Sequence, residues 1–313
     1  MELFKIPLQS MIFNLELSKN QLLKLGPEFT QTIAVKREDL IHPQISGNKY
    51  RKLKYNLAFA QKEQFQTLLT FGGAFSNHIC AVAASGKQLG FQTVGIIRGE
   101  ELEGKIDQNP TLKFAHDCGM RFMFVDRETF RNKTSAHFIE QLHKQFGDFY
   151  LIPEGGTNEF AIKGCEEILD SEDLNYDYIC CAVGTGGTIS GIINASKPSQ
   201  KILGFPALKG DFLKEEISKF AKNKNWQLIQ KYHFGGYAKI NSELISFINQ
   251  FKSTYQIPLD SIYTGKLMFG VMDLLKSGYF APHSKILVIH TGGIQGIAGM
   301  NDRLAKKNMP LID

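Results

Sequence analysis

The feature that most narrows the fold of this chain is a motif of construction repeated along it: a short apolar run, a glycine-rich turn, then a longer amphipathic stretch. The apolar runs are rich in β-branched and aromatic residues, and the stretches between them carry apolar residues at helical spacing. Strands that alternate with helices in this way pair in parallel through right-handed crossovers, which makes the chain α/β. Strands are predicted at 67–71, 93–98, 121–125, 149–152, 178–183, 201–205 and 285–290, with helices that include 135–145 and 158–170. At 313 residues, two domains are expected. The chain has no repeat of fixed period and no low-complexity tract.

Charge and cysteine content remove several classes of function. Lys and Arg number 36 against 31 Asp and Glu, and this formal +5 is spread without blocks, which gives nucleic acid no footing. No apolar run reaches the roughly 18 residues of a membrane helix, and the first twenty residues are interrupted by Glu, Lys and Asn. A cytoplasmic location without membrane association is expected. Cys80, Cys118, Cys165, Cys180 and Cys181 are scattered, with no CxxC pair and no neighbouring His at ligand spacing. They read as buried thiols of a reducing compartment, so no metal is expected.

In parallel sheets, ligands collect where strand carboxyl ends meet helix N-termini. Five loops stand out: Gly47-Asn48-Lys49, Gly72-Gly73-Ala74-Phe75-Ser76-Asn77-His78, Pro153-Glu154-Gly155-Gly156-Thr157, Gly184-Thr185-Gly186-Gly187-Thr188 and His290-Thr291-Gly292-Gly293. Four of the five follow a predicted strand. The loop from Gly184 to Thr188 offers backbone N–H groups and two hydroxyls at the positive end of a helix, a setting made for a phosphate. It is not the dinucleotide fingerprint, because Ile189 occupies the third glycine position, and no Gly-Lys-Ser/Thr follows to make a P-loop. Taken alone it is equally a tight strand-to-helix connection. Lys49 adds a second element, since a lysine amine can form a Schiff base with an aldehyde cofactor bearing one phosphate. The basic cluster of Lys49, Arg51, Lys52 and Lys54 also reads as a solvated helix end.

In order along the chain come Gly-Asn-Lys-x-Arg-Lys-Leu from Gly47, Gly-Gly-x-x-Ser-Asn-His from Gly72, Gly-Thr-Gly-Gly-Thr from Gly184, Tyr-Thr-Gly-Lys from Tyr263 and His-Thr-Gly-Gly from His290. This series resembles the pyridoxal-phosphate enzymes of tryptophan-synthase-β-like fold type II. Within them it is most similar to the D-cysteine desulfhydrase and 1-aminocyclopropane-1-carboxylate (ACC) deaminase family, from about Lys36 to Gly296. The resemblance implies an α/β fold with mostly parallel sheets flanked by helices. It implies a larger cofactor-binding domain of residues 1–51 and 152–313, a smaller inserted domain of 52–151, and a homodimer.

The resemblance also implies roles. Lys49 would hold the cofactor aldehyde and act as base, and Lys52 would help hold the phosphate with Gly184, Thr185, Gly186, Gly187 and Thr188. Ser76, Asn77 and His78 would receive the substrate carboxylate, with Asn77 also beside the cofactor ring oxygen, and Ser76 and Tyr263 would face the reacting substrate. ACC deaminases carry Glu in the Tyr-x-Gly-Lys motif and Leu in the His-x-Gly-Gly motif, whereas D-cysteine-using relatives carry small hydroxyl residues. This chain has Thr264 and Thr291, either of which could meet the pyridine nitrogen. That favours α,β-elimination on D-cysteine, giving pyruvate, ammonia and hydrogen sulfide. ACC deamination, D-serine-type dehydration and a non-catalytic pyridoxal-phosphate binder are the alternatives.

The residues also carry plainer readings. Ser76 caps a helix with His78 in its first turn, Tyr263 is a buried aromatic, Thr264 is a turn or cap residue, and His290 is a core histidine. Arg37, Glu38 and Asp39 receive no catalytic role, and that of Glu154 is open. The runs Ile79-Cys80-Ala81-Val82 and Ile294-Gln295-Gly296 depart from the family's pattern near the expected substrate mouth.

Overall fold

The computed structural model of the protein describes residues 14–45 and 47–313. Most of the first twenty residues, and Ser46 just before the first lysine motif, therefore lie outside the described residues. In chain order the elements are β1 (Asn20–Leu22), β2 (Thr32–Lys36), α1 (Asn48–Lys62), β3 (Thr67–Gly73), α2 (Asn77–Leu89), β4 (Gln92–Arg98), α3 (Pro110–Asp117), β5 (Met120–Val125), α4 (Arg127–Arg131), α5 (Ala136–Phe146) and β6 (Tyr150–Ile152). They continue with α6 (Glu159–Glu166), β7 (Tyr178–Val183), α7 (Gly187–Ala195), β8 (Lys201–Pro206), α8 (Phe212–Ser218), β9 (Trp226–Leu228), α9 (Ser242–Tyr255), α10 (Thr264–Lys276), β10 (Lys285–Ile289) and α11 (Gly296–Ala305).

The strands form two sheets, one of order β1-β2-β10-β7-β8-β9 and one of order β5-β4-β3-β6. Every pairing is parallel except that of β1 with β2. The fold is therefore α/β with mostly parallel sheets flanked by helices. All seven predicted strands form, with ends displaced by no more than two residues. Three strands carry no clear signal in the sequence: β1 and β9 are three residues each, and β2 is recognisable only through its parallel pairing with β10 from the other end of the chain. The helix predicted at 135–145 starts one residue later because Ser135 is its cap, accepting from Phe138 N. The one predicted at 158–170 is shorter, ending at Glu166 with Asn158 as its cap.

Alternation along β7 shows how the larger sheet is buried. Tyr178, Cys180 and Ala182 face the core beneath α9, α10 and α11, while Ile179, Cys181 and Val183 face the core beneath α6, α7 and α8. The smaller sheet is likewise covered on both sides. Leu68 and Ile97 pack with α1, α2 and α3, and Leu69, Phe71, Val94 and Ile96 pack with α4 and α5. Helix α1 places Tyr50, Leu53, Leu57 and Ala60 in the first of these cores, so it runs across the domain boundary expected at residue 51. All five cysteines are free thiols, and Cys165, Cys180 and Cys181 are fully buried. Among the described residues, no helix is long and apolar enough to cross a membrane.

Candidate active site

Gly47 begins the site. Its φ of 59° and ψ of −137° suit glycine, and a Cβ there would lie 2.0 Å from the backbone oxygen of Thr291. Only a glycine lets α1 start against the end of β10, where Asn48 N reaches Thr291 O at 3.4 Å. Lys49 and Lys52, three residues apart on one helical face, then enter the same cavity. Lys49 Nζ donates to Asn48 Oδ1 at 3.0 Å, and Asn48 Nδ2 donates to Thr188 Oγ1 at 2.8 Å. Burial, aided by the neighbouring Lys52 charge, lowers the Lys49 pKa to about 7. Much of its free amine is therefore neutral and nucleophilic at neutral pH.

Lys52 is almost wholly buried and, among the described residues, has no carboxylate partner. Its ammonium donates to Gly155 O (2.8 Å), Thr157 Oγ1 (3.0 Å) and Thr185 Oγ1 (3.2 Å), and burial lowers its pKa. The two hydroxyls also bond each other at 2.6 Å. Opposite stands the start of α7, where Gly186 has φ +86° and supplies no side-chain cap. The first N–H groups of a helix lack intrahelical acceptors, so those of α7 remain available at its positive end. A Cβ on Gly187 would sit 3.0 Å from Lys52 Nζ and 2.8 Å from Thr157 Oγ1, so the glycine leaves open a small hollow. An ammonium without a counter-ion, threonine hydroxyls and a helix N-terminus around one hollow suit a phosphate monoester in charge and donor count.

The other wall comes from β3 and β10. Ser76 does cap α2, accepting from Ile79 N at 3.4 Å, and it also lines the cavity. Asn77 reaches across to the β10 loop: a Cβ on Gly293 would lie 3.1 Å from its Nδ2. His78 lies behind them. Its Nε2 pairs with Thr70 Oγ1 at 2.9 Å, and Thr70 donates in turn to Ile152 O. Burial, then the charges of Lys49 and Lys52, hold the His78 pKa well below 6.5, so the ring is neutral. His290 is a core histidine, with Nε2 donating to Pro258 O at 2.7 Å.

The two threonines separate here. Thr264 is buried outside the cavity wall, and its hydroxyl donates to Asp260 Oδ1 (2.8 Å) while accepting from Asp260 N (2.9 Å). The Asp260 carboxylate is itself engaged by the backbone N–H groups of Ile262, Tyr263 and Thr264. Thr291 lines the cavity. Of the residues expected from sequence, Lys49, Lys52, Ser76, Asn77, His78, Gly184, Thr185, Gly186, Thr188, Tyr263 and Thr291 line it together, whereas Gly187 stands behind the hollow and Thr264 stands apart.

The wall also holds residues that went unassigned from sequence, Asn48 and Tyr237 among them. Asn48 stands inside the Gly-Asn-Lys motif, and only the fold brings Thr188 to it as the far end of a bridge from Lys49. Tyr237 belongs to no strand-following loop. It meets Tyr263 with ring centroids 6.2 Å apart at 65°. Burial, then Tyr237 and Asp260, hold the Tyr263 phenol well above its ordinary pKa, so it stays protonated.

Comparison with known proteins gives the family and the fold. Residues 17–292 match the family model described as pyridoxal-phosphate dependent enzyme. A Pyrococcus furiosus protein provisionally named 1-aminocyclopropane-1-carboxylate deaminase is 31% identical over 301 residues, covering 87% of this chain and 88% of its own. The mitochondrial bifunctional D-cysteine desulfhydrase/ACC deaminase of Arabidopsis thaliana is 29% identical over 300 residues, covering 87% and 74% respectively. Among solved structures, an ACC deaminase homologue superposes with a TM-score of 0.79 at 27% identity, covering 92% of this chain and 93% of that one. A hydrogen sulfide-producing enzyme from Fusobacterium nucleatum, at 17% identity and a TM-score of 0.65, shares the fold.

Proposed function

We propose that this chain, which belongs to the pyridoxal-phosphate-dependent enzyme family, catalyses α,β-elimination on D-cysteine, with water yielding pyruvate, ammonia and hydrogen sulfide. Pyridoxal 5′-phosphate is its cofactor, and it is an enzyme of the ACC deaminase and D-cysteine desulfhydrase kind. When bound, the cofactor withdraws electrons from the substrate α-carbon and so makes its proton removable. The rest of the chemistry falls to side chains of this chain. Lys49, whose amine is partly neutral at pH 7 and is steadied by Asn48, is the amine for the aldehyde and then the base for the α-proton. Lys52, Thr185, Thr188 and the α7 N-terminus hold the phosphate. Ser76 and Asn77 receive the substrate carboxylate, and the protonated Tyr263 offers the departing sulfur a donor in place of a negative charge.

The substrate assignment rests on one observation: Thr291 lines the cavity while Asp260, the nearby carboxylate, is consumed by its own turn and by Thr264. A hydroxyl facing the ring nitrogen leaves it a weaker electron sink than a carboxylate would. That favours substrates whose β-group leaves readily, such as a thiolate, over the opening of a cyclopropane ring. ACC deamination is the second reading, supported by the names of the relatives. The reading includes a cytoplasmic homodimer, and a division near residues 51 and 152 that lets the part carrying Ser76 and Asn77 close over the substrate.

The test is to supply purified protein with pyridoxal phosphate and measure 2-oxo acid and sulfide from D-cysteine, with ACC and D-serine in parallel. Pyruvate and sulfide from D-cysteine, with little product from the others, is the expected result. Product from ACC alone transfers the assignment to deamination. A cofactor-loaded protein that yields product from none of the three is a binder.

A further inference from the structure

The fourth residue of the Tyr-Thr-Gly-Lys motif has no part in the chemistry above, yet Lys266 is one of the largest fully buried side chains of the protein. It leaves α10 and ends against the loop that carries Tyr237. Its Nζ donates to His233 O at 2.9 Å and to Gly236 O at 2.8 Å. Those two carbonyls open consecutive turns, for they also accept from Gly236 N (3.0 Å) and Lys239 N (3.2 Å). The loop between them is held in a conformation that L residues rarely adopt, with φ of 52° at Phe234 and 54° at Ala238 beside glycines at 89° and 116°. A segment of this kind persists only where its surroundings impose it.

We propose that Lys266 is a positioning residue, pinning residues 233–238 through two backbone carbonyls and thereby holding Tyr237 against Tyr263 in the wall of the active site. The link is short in space and indirect in chemistry. Lys266 is not among the residues lining the cavity, whereas Tyr237 lines it and packs its ring edge-on against that of Tyr263. Tyr237 is 37% exposed, so burial alone does not fix its place. Burial of Lys266 lowers its pKa to about 8, with Asp260 opposing the shift. The neutral amine retains two N–H groups, so both carbonyl bonds survive in either protonation state.

The proposal concerns how one wall of the site is held, and its primary readout does not depend on the D-cysteine reading. Lys266→Met preserves length and apolar stem while removing the donors. In the cofactor-loaded protein, amide hydrogen exchange over 233–239 is expected to quicken at least tenfold in this variant, with exchange at the start of α7 and affinity for pyridoxal phosphate unchanged. Unchanged exchange over 233–239 overturns the proposal. With whichever substrate turns over, Lys266→Met should lower kcat/KM about tenfold, yet change it less than twofold when introduced into Tyr237→Ala. Losses that multiply in the double variant mean that Lys266 does not act through Tyr237, and also overturn it. Lys266→Gln, whose amide keeps two donors, should fall between the two in loop exchange and serves if Lys266→Met does not fold; wild-type exchange rates with unaltered kinetics in Lys266→Asn, too short to reach, would likewise refute the pin.

Discussion

Replacement of Lys52 by Met tests the phosphate site with a magnitude that the structure supplies. The ammonium is buried with three neutral oxygen acceptors and, among the described residues, no carboxylate, so on the proposed reading its electrostatic partner is the cofactor anion. Two unit charges about 4 Å apart attract by about 4 kcal/mol at an effective dielectric near 20. Truncating one member of such a buried, hydrogen-bonded pair costs about 2–5 kcal/mol. Taking about 3 kcal/mol, affinity for pyridoxal phosphate should fall on the order of 100-fold. The cofactor-free protein should respond differently. The folded state lowers the Lys52 pKa, so the unfolded chain binds the proton more readily and the charge opposes folding below that pKa. Its removal is therefore favourable, while only Gly155 O loses a partner, because Thr157 and Thr185 still bond each other. These effects oppose one another, and the cofactor-free stability should change by less than about 1 kcal/mol. Cofactor titration followed by absorbance, beside urea unfolding of the cofactor-free protein, gives both numbers. Affinity within threefold of wild type would refute the phosphate assignment. Loss of several kcal/mol in the cofactor-free state would show Lys52 to be a scaffold for the loops instead.

Three further outcomes follow from the same geometry. Because Lys49 must be neutral to attack the aldehyde and its pKa is lowered to about 7, the rate of cofactor capture should rise about tenfold per pH unit below 7 and level off above it; a stopped-flow profile flat from about pH 5.5 to 8 contradicts this. Thr264→Val should cost about 2 kcal/mol in chemical unfolding by breaking both bonds to Asp260, whereas Thr291→Val should leave stability intact and lower kcat about tenfold; equal effects in the two would remove the distinction drawn between them. Gly47→Ala adds a Cβ against Thr291 O in a backbone conformation reserved for glycine, and should destabilise by about 3 kcal/mol and impair cofactor linkage at Lys49, measured by unfolding and by borohydride trapping; a variant as stable as wild type would show that α1 can start elsewhere.

How legible each part was follows from how local its cause is. Strand β7 and the turn from Gly184 to Thr188 could be read directly, because an apolar run, a glycine with positive φ and a helix start are properties of neighbouring residues. The pairing of Lys49 with Lys52 was legible only through the family resemblance, and the fold shows both amines entering one cavity. Strand β2 was different, since its five residues become a strand by pairing with β10 some 250 positions away.

The amino-acid order by itself determined an α/β chain with phosphate-suited loops at its strand ends and a lysine whose amine could bond an aldehyde. The tertiary structure decided which threonine lines the cavity. Thr264 and Thr291 are equivalent as letters, but Asp260 folds back to bond the first, while the end of β10 presents the second beside Gly47. It also brought Tyr237 to the wall, through a loop whose turns are fastened by the buried Lys266. The reason is the same in each case: a side chain's partners are set by contacts between distant segments, which local spacing does not encode.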